Sequence, residues 1–160
     1  MKTAVSLAGL RWRGLAFEAL SVAELYRLLR LRAQVFVVEQ ACAFQDLDGL
    51  DEQAIHWMGE TTDEQGHTRL LAYTRLSPAG TAFHEASIGR VVISPLARGT
   101  GLGHTLMRES IAELHRRWGV QAIRIGAQAH LASFYQQHGF VSDNKPYVED
   151  GIDHIEMVRA

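Results

Sequence analysis

From Leu10 to Ala19 the order LRWRGLAFEA alternates bulky apolar residues with polar or small ones, the period-two pattern of a half-buried strand. The period then lengthens. Ser21 and Glu24 stand in an S-x-x-E capping box, and Val22, Leu25, Tyr26, Leu28, Leu29 and Arg32 recur near every 3.6 residues, which predicts a helix from Val22 to Gln34. Val35 to Gln40 carries the chain into FQDLDGLDEQ, where Asp46, Asp48, Asp51 and Glu52 show no period and predict a surface loop with room for one helical turn. Ala54 to Thr61 and Arg69 to Ser77 are strand-like runs joined by TTDEQGH, a hairpin connection, and Ser87 to Ser94 is a β-branched run ended by Pro95. Leu102, Leu106, Met107, Ile111, Leu114 and Trp118 line one helical face, Glu113 and Arg117 can pair on the other, and Gly119 is a C-terminal stop. Ala122 to Gln128 is the next strand, so Ser87 to Gln128 reads as a strand, helix, strand crossover between parallel strands. A shorter helix over Leu131 to His138 stops at Gly139. Phe140 to Val148 and His154 to Arg159 flank EDGID as a closing hairpin.

The predicted order is therefore β α loop β β β α β α β β, a mixed sheet with helices packed on it. Its 160 residues, 47% hydrophobic and 21% charged, suit one domain over residues 1–160. A chain this long buries roughly 70% of the surface it exposes unfolded and needs no staple. One cysteine, Cys42, cannot form an internal disulfide, so the chain reads as reduced, intracellular and cytoplasmic. Sixteen basic residues against eighteen acidic ones give a net charge of −2, which leaves no basic excess to follow a nucleic acid backbone. All the basic residues except Lys2 and Lys145 are arginines, a bias that genome composition accounts for as readily as function, and the compositional reading is preferred. The N-terminal MKTAVSLAGL is interrupted by Arg11 and Arg13, well short of the ~20 apolar residues of a membrane span. No small-residue cleavage site follows it, and no leader or membrane segment is expected.

The chemistry concentrates in Arg98-Gly99-Thr100-Gly101-Leu102-Gly103, between a strand and a helix start. Its glycines let a ligand approach the backbone, and the free N–H groups of the helix's first turn suit an anion such as phosphate. The spacing fits neither G-x-G-x-x-G nor the P-loop, which also needs a following Lys-Ser/Thr. A tight turn with no ligand is the alternative reading of such a loop.

The run R-x-x-G-x-G, with the strand ending in Ser94-Pro95 before it and Phe134-Tyr135 and Gly139-Phe140 after it, resembles the acetyl-CoA-binding core of the GCN5-related N-acetyltransferases. Within that superfamily FVVEQ (36–40), QDLDG (45–49), GRV (89–91), GAQAHLASFY (126–135) and YVEDGIDH (147–154) are similar to the bacterial ElaA-type acetyltransferases. The resemblance implies an α/β (α+β) domain with a mostly antiparallel mixed sheet, helices on both faces and a splayed parallel strand pair. It implies that acetyl-CoA rests its pyrophosphate on Arg98, Gly99, Thr100, Gly101, Leu102 and Gly103, with His104 and Thr105 opening the helix. The pantetheine arm would lie along Val91, Val92 and Ile93. The N–H of Val92 or Ile93 would polarise the thioester carbonyl, and Arg98 would either hold phosphate or stiffen the loop. Tyr135 would protonate the departing thiolate, unless it is only part of a packing face with Leu131 and Phe134. Gln128 stands where the family often has Asn and would reach the cofactor with a longer side chain.

An amine acceptor arrives protonated and needs a base. Glu39, His56, Glu85 and His130 are the candidates, with Glu39 and His130 ranked first because each lies in a family-like motif. His154, Glu149, Asp150, Asp153 and His84 remain unassigned. No metal spacing is evident, and Cys42 lacks the partners of an acyl-carrying nucleophile. Asp46, Asp48 and Asp51 would wall the acceptor side and favour cationic amines, or would simply be a solvated loop. The expected activity is direct acetyl transfer from acetyl-CoA to an amine of a small molecule or peptide, without metal, nucleic acid or membrane. The alternatives are a silent CoA-binding or partner-binding module and transfer of a longer acyl group. Dimers are common among such domains, and the oligomeric state is open.

Overall fold

In a computed structural model that describes residues 5–160, β1 (Arg11–Ala16) opens a continuous seven-stranded sheet in the order β1-β2-β3-β4-β5-β7-β6. Residues 1–4, the start of the expected domain and of the segment weighed as a leader, lie outside the described residues. The remaining strands are β2 (Ile55–Thr62), β3 (Thr68–Ser77), β4 (Ala86–Ile93), β5 (Ile123–Gln128), β6 (Val141–Glu149) and β7 (Ile152–Arg159). Every pairing is antiparallel except β4 with β5, which are the ends of the predicted crossover. Asp150 and Gly151, with φ of 50° and 76°, form the two-residue turn of the closing hairpin, so β7 begins two residues earlier than the pattern indicates. Among the described residues no helix is long and apolar enough to cross a membrane.

α1 (Val22–Arg32) begins at the predicted capping box, in which Ser21 Oγ accepts from the Glu24 N–H at 3.1 Å and Glu24 accepts from the Ser21 N–H at 3.0 Å. The helix does not stop near Gln34. It widens into a π-helical stretch, Ala33–Glu39, with the Gln40 and Cys42 N–H groups reaching back five residues to the carbonyls of Val35 and Val37. That stretch buries Val35 against Leu28, Leu31, Met58, Tyr73 and Val92 on one face of the sheet. α2 (Leu102–Trp118) and the short α3 (Ala132–Gln136) cover the other face, where Leu102, Leu106, Met107, Ile111 and Leu114 meet Leu71, Ile88, Ile123, Ile125 and Met157. Helices therefore flank the sheet on both sides, and α2 has the bounds that its period and Gly119 predict.

The acidic segment is neither a solvated loop nor a free wall of carboxylates. Arg32, fully buried, donates to Asp46 Oδ2 at 3.0 Å and to Asp51 Oδ1 at 2.7 Å. Arg75 forks onto both oxygens of Asp48 at 2.8 Å and reaches Asp51 at 3.0 Å, and Arg90 donates to Asp46 Oδ1 at 2.8 Å. Three guanidinium groups thus neutralise three carboxylates, and the cluster ties α1, the acidic loop, β3 and β4 together. Its consequence for β4 is local. Tyr73 pairs with Val92 but Arg75 pairs with Gly89, so β4 carries a bulge at Arg90 and Val91, and Arg90 sits at φ 49° with its side chain fixed by Asp46. A non-glycine residue holds such a conformation only where its surroundings impose it.

Burial would raise the pKa of Asp48, but the Arg75 hydrogen bonds, with further attraction to Arg90, reverse that and pull it down to about 2. Because this lies below the unfolded value of ~4, the stability that Asp48 contributes is complete above that value and is lost as pH falls through about 2. The urea midpoint followed by tryptophan fluorescence is expected to fall over this window, less steeply in Asp48→Asn. An equal slope in the two proteins would contradict the assignment.

Candidate functional site

β4 and β5 are paired only at Ala86 with Ile123 and at Ser87 with Arg124. Beyond that point they part, and a cavity of about 810 Å³ lies between them, lined by β4 from Ile88 to Ile93 and by Ile125, Gly126 and Gln128 of β5. The β4 edge on this side has no neighbouring strand. The Ser94 N–H donates to Leu71 O of β3 at 2.8 Å, so by strand alternation the Val92 N–H also faces β3 and the Ile93 N–H faces the gap. Of the two predicted donors, Ile93 is the one available there. Val92 buries its side chain on the α1 face, whereas Val91 and Ile93 pack on the α2 face.

At the end of β4 the Gly-rich loop turns the chain into α2. Gly99 and Gly101 have φ of 76° and 81°, a region in which a side chain is strained, and this backbone reversal aims the loop at the helix start. Thr100 caps locally, donating to Ala97 O at 2.5 Å and accepting from the Leu102 N–H at 3.4 Å, which leaves the Gly103 and His104 N–H groups without an intrahelical acceptor. Leu102 is buried in the core and offers only its backbone. Gly101 and His104 border an adjoining groove on α2, and Thr105 accepts from Arg108 at 3.2 Å on the outer side.

Arg98 turns to the rim of the gap, where it pairs with Glu39 at 2.7 Å. The neighbouring Gln40 accepts from Gln128 Nε2 at 3.3 Å. The π-helical end thus touches both lips of the gap, β4's loop through Glu39 and β5 through Gln40. Tyr135 lines the same cavity from α3, with 6% of its surface exposed. Phe134 and Phe140 meet its ring edge-on at 5.1 and 6.1 Å, and desolvation alone pushes its phenol up to about 12. Its hydroxyl makes no hydrogen bond to another described residue.

Of the four base candidates, Glu39 and His130 line the cavity and the other two do not. His56 is enclosed between Tyr73 Oη at 2.7 Å and Asp51 O at 2.9 Å, where burial lowers its pKa. Glu85 is held by Arg124 at 2.7 Å. Asp48 lies at the cavity margin but is already bound by Arg75 and Arg90, so the expected acidic wall against a cationic acceptor is not formed by Asp46, Asp48 and Asp51. In its place the structure brings Glu149, Asp150 and His154 from the closing hairpin, together with Phe36 and Phe44. The hairpin reading could have located them, since β7 runs beside β5 and sets His154 opposite Gln128. Cys42 donates to Asp150 O at 3.4 Å, a thiol contact with no base in it. Among the described residues no His, Cys, Asp or Glu group converges in a way that could hold a metal.

Residues 40–160 match the acetyltransferase (GNAT) domain family. The chain is 41% identical to protein ElaA of Escherichia coli over 152 residues, covering 94% of this chain and 96% of that one. Among solved structures, an acyl-CoA N-acyltransferase from Pseudomonas aeruginosa superposes with a TM-score of 0.86 at 42% identity, covering 95% of this chain and 100% of that one. Escherichia coli ElaA superposes with a TM-score of 0.83 at 40% identity, covering 94% and 99%.

Proposed function

The chain belongs to the GNAT acetyltransferase family, and on that premise we propose that it moves the acetyl group of acetyl-CoA directly to a primary amine of a small molecule or peptide within one ternary complex. The observation that carries this reading is the gap between β4 and β5, which runs from the Gly-rich loop past an unpaired strand edge to the Tyr135 hydroxyl. An extended pantetheine arm can pair with the free edge at Val91 to Ile93 as a strand would, while Gln128 borders it from β5. The pyrophosphate then falls on the loop of Arg98 to Gly103 at the opening of α2, with His104 and Thr105 beside it. Backbone N–H groups suffice there, and Arg98, engaged with Glu39, acts by fixing the loop to the rim.

At the thioester the Ile93 N–H is the donor for the developing oxyanion. Tyr135 gives its proton to the leaving thiolate. Its raised pKa keeps the phenol protonated at any working pH, and the phenolate left behind is a strong base that recovers a proton at once. The two aromatic neighbours fix the ring while the hydroxyl is free, the combination that a proton donor needs.

A hundredfold excess of acetyl-CoA over its Kd is expected to raise the melting temperature by roughly 5–10 °C, from ~2.7 kcal/mol of linkage in a chain of this size. No shift, and no displacement of a CoA analogue, would remove the reading. Tyr135→Phe should lower kcat for thiol release by ~10²–10⁴ with the thermal shift preserved. Near-normal turnover would leave Tyr135 as a packing residue, and thermal stabilisation of the wild type without thiol release from any amine would identify a silent CoA-binding module.

A further inference from the structure

We propose that His154 is the general base that deprotonates the acceptor amine, through Nε2. The inference rests on the acetyltransferase reading above and concerns its unassigned half, the removal of a proton from an ammonium group before attack.

Three observations converge on this side chain. It lines the same cavity as Tyr135. Its Nδ1 lies 2.7 Å from Ile152 O, and a carbonyl oxygen can only accept, so Nδ1 carries the hydrogen and Nε2 of the neutral ring has a free lone pair. Its orientation is fixed as well. The ring stacks on Tyr147 at 5.2 Å and 23°, and Tyr147 is itself seated with its hydroxyl over Gly126 of β5, where any side chain would collide with it. With 12% of the side chain exposed, the imidazole is held but not sealed off.

The sheet supplies the stereochemistry. Ile125 and Ala127 of β5 and Met157 of β7 face the core beneath α2 and α3, on the side of Tyr135. Gln128 and its register partner His154 alternate to the opposite face. Acid and base therefore approach the gap from opposite faces of the sheet. In direct transfer the amine adds to the thioester carbon in one step and the thiolate leaves the tetrahedral intermediate in a later one, so a separate base and acid can each serve one step.

The competing bases lack one or more of these properties. The Glu39 carboxylate is engaged by Arg98 at the rim. His130 is exposed on the segment between β5 and α3, and among the described residues no hydrogen bond sets its tautomer. Beside His154 stand Tyr147 and Glu149 of β6 and the neutral Gln128 of β5, and the other charged or titratable groups along the same cavity wall include Glu39, Asp48, Arg90, Arg98, His130 and Asp150. Glu149 Oε2 is 3.9 Å from Nε2, beyond hydrogen-bond distance, so the lone pair is not engaged by it.

The proton balance closes. An ammonium acceptor gives one proton to His154 Nε2, and the amine lone pair forms the N–C bond at the thioester carbon. The tetrahedral intermediate breaks its C–S bond, and the sulfur takes the Tyr135 proton. The phenolate then takes the second nitrogen proton. The products are the amide and CoA thiol, and the imidazolium releases its proton to water.

His154→Asn is the decisive variant, because the Asn amide can still donate to Ile152 O while nothing replaces Nε2. Thiol release would be measured with n-butylamine, spermidine and a peptide with a free N-terminus, from pH 6 to about 10, where simple amines deprotonate unaided. The expected result is a ~10²–10³-fold lower kcat/KM for the amine at neutral pH, an unchanged thermal shift with acetyl-CoA, and a deficit that shrinks as pH approaches 10. Activity within about threefold of wild type at neutral pH, or a deficit of constant size at all pH values, overturns the role of His154 and leaves the acetyltransferase reading intact. A wild-type protein that binds acetyl-CoA and acetylates none of the amines overturns both.

Discussion

Beyond Ser87 two adjacent parallel strands cease to pair, and each then presents backbone N–H and C=O groups to a gap instead of to a neighbour. An interior strand cannot leave such groups unsatisfied without cost. Keeping it there requires something that prevents β4 and β5 from closing on each other. In this protein that restraint is the bulge at Arg90 and Val91, and behind it the cluster of Arg32, Arg75 and Arg90 with Asp46, Asp48 and Asp51. Ions withdrawn from water contribute little net stability, but removing one member of a buried pair costs about 3–5 kcal/mol because its partner is left uncompensated. The cluster therefore acts as a positional lock: it holds α1, the loop and the bulge in one arrangement. The arginine-rich composition finds a physical use here, since the planar fork of Arg75 grips both oxygens of Asp48, a geometry that a lysine ammonium cannot copy.

With the gap held open, the stretch from the free β4 edge to the start of α2 presents almost wholly backbone. Gly99 and Gly101 reverse the chain, Gly103 opens α2, and Ile93 offers its N–H at the free edge. An anionic cofactor can be held in this way by a protein whose net charge is −2. The rest of the cavity wall is built differently, with side chains of the π-helical segment and the closing hairpin. Glu39 and Gln40 tie that segment to Arg98 on one lip and to Gln128 on the other, so the first helix and the Gly-rich loop are mechanically connected at the rim of the gap.

Elements with a strong local cause follow the sequence closely. The capping box at Ser21 and Glu24 forms with both of its hydrogen bonds, α2 runs from Leu102 to Trp118, and the Asp-Gly turn closes the last hairpin. The π-helical stretch does not, because AQVFVVE has β-branched residues that disfavour helix on local grounds. It is helical because Val35 is buried against Met58, Tyr73 and Val92, none of them a near neighbour in sequence. The acidic loop was legible as acidic, but its partners lie 14 to 44 residues away and only folding brings them to it.

The order of elements, the parallel crossover, the Gly-rich loop and the place of Tyr135 are therefore properties of the sequence, since each arises from periodicity, capping or turn chemistry within a few residues. The tertiary structure decided which groups face the gap and in what state. It neutralised Asp46, Asp48 and Asp51, engaged Glu39, enclosed His56 and turned the Ile93 N–H toward the free edge. It also set His154 beside Gln128 with one ring nitrogen occupied and the other free. Strand register and long-range pairing assign these roles, and both depend on residues that become neighbours only when the sheet is assembled.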